Sequence, residues 1–398
     1  MNTDTQTVDR TRFGGFGWVM ILIPLLLLGV ILAFIVVTGG GLTELTGPPV
    51  EQLTIQRITL PEPGLIQVEV INDGPQSVTI PQVLVDDAYW SFTVEPSNTL
   101  GRLAKAVFTI PYPWVAEETH VVTLISSTGL TFTGEIAAAV ETPSPSWNLF
   151  WRFGLIGLYV GVVPVLLGML WYPFMRRLGR QAMNFILALT IGLLIFLAVG
   201  TWLDALEFAA ELPAFWQGMP MVVFVTLIAL GALLAIGSRG SRQERAPLEI
   251  AYLIAFGIGL HNLGEGLAIG AAFALGEAAL GTFLVLGFTL HNITEGVGIV
   301  APIVRQRPPL VHFALLILLA GGPAILGTWI GGFAFNPVLA TIFLAIGIGA
   351  ILQVIWEVGK LIAKDTAGQE QSLVNWVNLS GVALGVAIMY FTAFLVKF

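Results

Sequence analysis

Nine stretches of roughly 20 or more mostly apolar residues constrain this chain more than any other feature. A helix that crosses a bilayer needs about 20 such residues. The first stretch covers about 18–37, and eight more follow at about 149–171, 183–207, 219–237, 250–274, 280–303, 310–333, 338–363 and 376–396. Only 11% of residues are charged, against about 25% in an ordinary soluble domain. A single soluble core could not hide that much apolar surface, so the pattern predicts a polytopic membrane protein with the bilayer as its first partner. The net charge of −8 excludes a nucleic-acid face. The chain has no cysteine, so disulfides and thiolate metal sites are ruled out and any metal must sit on nitrogen and oxygen.

The segment between the first two apolar stretches has a different character. Short runs rich in Val, Ile, Thr and Phe fall at about 53–60, 65–71, 78–85, 89–94, 104–110, 120–125 and 130–136, separated by turn formers such as Asn72-Asp73-Gly74-Pro75. That spacing predicts an immunoglobulin-like β-sandwich. The expected organisation is a start and transmembrane anchor over 1–48, an extracytoplasmic β-sandwich over 49–142, a Pro/Ser linker over 143–148 and an eight-helix all-α membrane core over 149–398. The first apolar stretch has basic residues ahead of it, like a signal peptide, but it is long for one and reads as an uncleaved anchor.

Lysine and arginine set the orientation. With a cytoplasmic N-terminus, Arg10, Arg12, Arg176, Arg177, Arg180, Arg239, Arg242, Arg245, Arg305, Arg307, Lys360 and Lys364 all fall inside. Only Arg152 and Lys397 lie near a helix end outside. The expectation is a multi-pass protein of the cell membrane with its β-domain and C-terminus outside.

Ionisable groups inside spanning helices are costly and usually face a cavity or a partner. The fourth and fifth helices of the core carry His261-Asn262-Leu263-Gly264-Glu265-Gly266 and His291-Asn292-Ile293-Thr294-Glu295-Gly296. His, Asn, Glu and Gly recur at identical offsets. Residues three or four apart share a helix face, so each helix presents one imidazole, one amide and one carboxylate. Each histidine lies about eleven residues into its helix, which at about 1.5 Å per residue puts both near mid-membrane. Imidazole with carboxylate suits first-row divalent cations such as zinc, iron or manganese. A lone buried His or Glu would more simply be interhelical glue; two matched copies argue for a cation site holding His261, Asn262, Glu265, His291, Asn292 and Glu295.

Other polar groups carry less. Asp204, Glu207 and Glu211 read either as a cation-collecting vestibule or as a solvated helix end. Gln353 and Glu357 share a face toward the inner half of their helix and read either as an exit lining or as a structural pair with Lys360 or Lys364. His312 is expected at the interface and Glu277 in a tight outer loop. In the β-domain, Asp86-Asp87 and Glu117-Glu118-Thr119-His120 read as solvated surface residues.

Eight helices with HN-x-x-EG in the fourth and fifth resemble the ZIP (Zrt-, Irt-like) divalent metal transporters. The resemblance covers roughly 149–398 and leaves the first helix and the β-domain as additions. It implies metal uptake by alternating access, often elevator-like. The ion would enter past Asp204 and Glu207, rest on the paired motifs and leave past Gln353 and Glu357. It implies a homodimer, for which the sequence offers no separate signal, and no prosthetic group beyond the transported ion. Two departures stand out. Gly264 and Thr294 occupy the place where such transporters often have proline, and 319–327 lacks the acid that often holds a second ion, which predicts one strong site. Two other classes fit parts of the pattern. An intramembrane metal-dependent hydrolase would use His and Glu to activate water, but needs a separate general base. A metal-sensing receptor would act through the β-domain, whose partner the sequence leaves unknown.

Overall fold

A computed structural model describes residues 15–38, 51–210, 212–238, 246–274, 278–334, 336–368 and 372–396. Arg10, Arg12, Glu211, Arg239, Arg242, Arg245, Glu277 and Lys397 lie outside the described residues. The chain divides into two units, Met1–Val50 and Glu51–Phe398. The first contains α1, Gly15–Thr38, whose described side chains from Leu22 to Phe34 are apolar and exposed. Among the described residues, the second contains ten short strands and eight long helices.

The strands form two four-stranded antiparallel sheets and one two-stranded sheet. They are β1 (Leu53–Thr59), β2 (Leu65–Asn72), β3 (Val78–Thr79), β4 (Gln82–Val85), β5 (Ala88–Trp90), β6 (Thr93–Glu95), β7 (Thr99–Leu100), β8 (Lys105–Pro111), β9 (His120–Ile125) and β10 (Thr131–Ile136). The orders are β1-β2-β8-β6, β10-β9-β4-β5 and β3-β7. Strict alternation buries Ile66, Val68 and Val70 of β2 and Phe108 and Ile110 of β8. These share one apolar core with Val83, Val85, Val122 and Leu124 of the other sheet. Two expected strands are broken. The run at 78–85 stops at Pro81, which has no N–H for a ladder, and its first half pairs with Thr99–Leu100 instead. The run at 89–94 changes sheets: Ala88–Trp90 pairs with β4, Thr93–Glu95 with β8.

Among the described residues, seven helices are long and apolar enough to cross a membrane: Trp147–Met175, Arg180–Ala210, Ala214–Gly237, Pro247–Ala274, Leu280–Ile303, Leu310–Ala334 and Pro337–Ala367. The last apolar helix, Trp376–Val396, completes the bundle. This is a multi-pass helical membrane protein. Below, α2 is Trp147–Met175, α3 Arg180–Ala210, α4 Gly218–Ser238, α5 Pro247–Ala274, α6 Ala278–Val300, α7 Leu310–Ala334, α8 Pro337–Ala367 and α9 Trp376–Val396. Helical backbone is required because lipid offers no partner for a bare N–H or C=O. Ends are capped locally: Ser146 Oγ accepts from Leu149 N at 3.2 Å, and Asn336 Oδ1 from Val338 N at 2.8 Å. One π turn, Leu158–Val162, interrupts α2.

The bundle falls into two groups, α2-α5-α6-α7 and α3-α4-α8-α9, that meet mainly where α8 crosses α5. Glycines set how closely backbones approach. Within the first group, a Cβ added to Gly168 would lie 1.9 Å from the Ile293 carbonyl oxygen, one on Gly161 2.3 Å from that of Gly321, and one on Gly259 2.2 Å from that of Leu319. In the second, the same holds for Gly192 against Val382 at 2.1 Å and Gly385 against Leu189 at 2.2 Å. Across the α5–α8 seam the nearest backbone atoms are 3.4 Å away, from Gly347 to His261 and from Gly264 to Phe343. Each group is locked backbone to backbone, and the seam is not.

Candidate metal centre

The helical spacing that aligns His261 with Glu265 puts His261 Nε2 2.8 Å from Glu265 Oε1. From α6, His291 brings its Nε2 to 2.7 Å from the same oxygen. The imidazole centroids are 6.3 Å apart. Ligand atoms of His261, Glu265 and His291 all fall within 4.8 Å of one another, and all three residues are buried. Among the described residues this is the one such group of His, Asp and Glu, and it can hold a metal ion.

The two asparagines tie the helices together. Asn292 Nδ2 donates to the Val160 carbonyl of α2 at 2.9 Å, and Asn262 Nδ2 donates to the Ala320 carbonyl of α7 at 3.0 Å. Val160 has a reason to need that donor. Pro164, four residues later, has no N–H to give it. With each Nδ2 committed, each Oδ1 is left buried without a hydrogen-bond partner. Glu295 faces His261, His291, Glu265 and Asn262, yet neither of its buried oxygens has a hydrogen-bond partner. Glu265 Oε2 and His261 Nδ1 are in the same position. The open atoms are almost all lone-pair donors, gathered where a bare carboxylate is expensive.

The site lies on the seam. A Cβ on Gly347 of α8 would touch His261 Nδ1 at 3.4 Å. On the side toward the α3–α4 connection, Asp204 and Glu207 are exposed, and the Asp204 carboxylate is near enough to Glu207 and Glu265 for their charges to act on it. One turn along α5 in the other direction, Gln353 is fully buried beside Gly257, with neither amide atom hydrogen-bonded. Beyond it, Glu357 is 4% exposed and its two oxygens each lie 2.8 Å from Lys360 Nζ. The pairing of Glu357 with Lys360 is thus present in the structure. His312 joins α7 to α5 through a 2.8 Å contact with the Tyr252 hydroxyl.

Sequence reasoning missed one polar cluster outside the helices. Asp86 and His120 were expected on the surface, but His120 is 4% exposed because β9 turns it toward the core. Asp86 Oδ2 accepts from Tyr112 and meets His120 Nδ1, each at 2.7 Å, while Oδ1 accepts from Val121 N at 2.9 Å. Burial works to raise the Asp86 carboxyl, but the bonds from Val121, Tyr112 and His120 outweigh it and hold the group below its ordinary value. The hydrogen bond to Asp86, followed by burial and the nearby negative charges, pushes the Tyr112 phenol up to about 12. Asp73 also reaches out of the sheets: its Oδ2 accepts from Ala214 N at 2.9 Å, at the start of the short 3-10 turn between α3 and α4.

No protein-family model matches this chain, and no curated protein does. Fold and site together define a multi-pass helical membrane protein with a buried His/Glu group able to hold a metal ion.

Proposed function

We propose that this chain is a divalent metal-ion transporter of the ZIP kind, moving zinc before iron or manganese toward the cytoplasm, with no enzymatic step and no prosthetic group. One observation carries the reading: two matched helical motifs bring His261, Glu265 and His291 into one buried group, while oxygens of Glu265, Glu295 and both motif asparagines are buried without hydrogen-bond partners. Uncharged, such a group would be poor glue, because burying unpaired acceptors costs about 1–3 kcal/mol each. A divalent cation matches the two carboxylates in charge and the imidazoles in softness. His261, Glu265 and His291 would hold it, with Glu295 and the two Asn Oδ1 atoms at hand.

Transport needs the site to open to each side in turn. The two locked helix groups and the looser α5–α8 seam between them support an elevator-like movement of α2-α5-α6-α7 against α3-α4-α8-α9. Asp204 and Glu207 are the entry in this reading, and Gln353 and Glu357 the exit. A departing ion would there compete with Lys360 for Glu357. The arginines and lysines at alternate helix ends favour a cytoplasmic N-terminus in the cell membrane, with the β-domain and C-terminus outside. We read that domain as an immunoglobulin-like sandwich, on the strand orders β1-β2-β8-β6 and β10-β9-β4-β5. A homodimer belongs to the same reading.

The test is flux of Zn²⁺, Fe²⁺ and Mn²⁺ into liposomes holding the purified protein, beside a Glu265→Ala/Glu295→Ala control. Flux in the parent and none in the control is expected. Undiminished flux in the control would remove the paired motifs from the pathway. Metal binding without flux of any ion would instead favour a sensor or a hydrolase.

A further inference from the structure

A cavity of about 490 Å³ lies between the end of α2 and the start of α7 and belongs to neither the metal centre nor its approaches. Its walls are apolar, with Leu166, Met169 and Leu170 from α2 facing Leu310, Phe313 and Ile317 from α7. Two charged groups line it, Arg176 and Arg307, and no acid does. Neither arginine has a carboxylate partner among the described residues. Both sit just beyond the ends of spanning helices, the depth at which lipid headgroups lie.

The arginines are also held in place. The Arg176 guanidinium lies 5.8 Å from the Tyr172 ring centroid. That ring packs edge-on to Phe313 at 5.0 Å, and its hydroxyl donates to the Gln306 carbonyl, next to Arg307. One tyrosine thus fixes the groove wall, one arginine and the backbone of the other. A guanidinium pair above an apolar slot fits a ligand with a phosphate at one end and a hydrocarbon chain at the other. An inorganic anion would use the arginines and leave the slot in water. A zwitterionic lipid would bring its own cation to two that are already there.

The geometry points to a specific site for one anionic phospholipid in this groove, its phosphate between Arg176 and Arg307 and an acyl chain along Leu166, Leu170 and Phe313. The site is independent of what the metal centre does. Native mass spectrometry of the full chain in mild detergent tests it, with phosphatidylglycerol, phosphatidylcholine and inorganic phosphate as separate probes. The first phosphatidylglycerol should bind at least about tenfold tighter than phosphatidylcholine. Arg176→Gln/Arg307→Gln should abolish that preference, while Arg177→Gln/Arg305→Gln, equal in charge and outside this groove, should keep it. Leu310→Glu is a second probe that leaves the core alone, since Leu310 is 84% exposed; it should also abolish the preference. No preference in the parent, or a preference that survives both groove variants, overturns the site. Displacement of the lipid by inorganic phosphate at equal concentration overturns the lipid as its occupant.

Discussion

Gly168→Ala is the sharpest test of how the bundle is built. The new methyl would sit 1.9 Å from the Ile293 carbonyl oxygen and 2.9 Å from Gly296 Cα. Close carbon-to-oxygen contacts in proteins begin near about 3.3 Å, so α2 and α6 must part by about 1.4 Å. Because the obstacle is backbone, no side-chain rotation relieves it. Overpacking of this kind costs about 1–3 kcal/mol. The same displacement stretches the 2.9 Å bond from Asn292, beside Ile293, to Val160 past useful length, for about another 1–3 kcal/mol. It also moves His291, two residues away, off Glu265. Gly347→Ala is the matched control, since its methyl meets His261 at 3.4 Å, an ordinary contact. Thermal unfolding in detergent, followed by loss of the monodisperse chromatographic peak, should find Gly168→Ala clearly less stable than the parent and Gly347→Ala close to it. Equal stability of the two variants would refute the picture of locked groups and a loose seam.

Two further outcomes follow from the β-domain. Tyr112 is neutral when bonded to Asp86, and its raised value favours the folded state below the ordinary phenol value of about 10. That contribution falls as pH climbs toward about 12; Asp86, held low, makes its contribution above about 3.9 and loses it in acid. The difference in ultraviolet phenolate absorbance between the parent and Tyr112→Phe should place one of the six tyrosines near the top of the titration, and a normal midpoint for it would contradict the Asp86 bond. Asp73→Ala removes the acceptor on Ala214 N, a cap of about 1 kcal/mol, and should speed amide exchange around Ala214–Trp216 roughly fivefold; unchanged exchange there would mean the sheets do not brace that connection.

The sequence made the helices legible because hydropathy is summed over some twenty residues, so local noise averages out. The His261/Glu265 adjacency was legible because helical spacing alone dictates it. Bringing His291 to the same carboxylate oxygen required only matched depth on neighbouring helices. The role of the asparagines was not legible. Their partners, Val160 and Ala320, are backbone carbonyls more than 50 residues away, and Pro164 was the one available signal. The division into two groups was equally hidden, since a glycine against a carbonyl and a glycine at a looser seam look the same in one dimension. In the β-domain, Pro81 marked the break in a strand, but nothing local marked the sheet change after Trp90. His120 went unrecognised as a buried residue because its partner Asp86 is 34 positions away.

The π turn in α2 has a consequence for insertions and deletions. In a regular helix, Gly161 and Gly168, seven positions apart, would lie on one stripe and could serve only one neighbour. Here Gly161 faces α7 and Gly168 faces α6. The wide turn Leu158–Val162 acts as a phase shifter, rotating the second half of the helix relative to the first. Deleting one residue from the wide turn itself would restore a uniform pitch and leave the rest of α2 nearly as it lies, whereas deleting one between it and Gly168 would swing everything after it by about 100° relative to the first half. Gly168 would then point away from Ile293. The chain can therefore accept many apolar exchanges in α2 but no change in residue count outside the wide turn, and the reading frame of one helix is part of the geometry of a site to which that helix contributes no ionisable side chain.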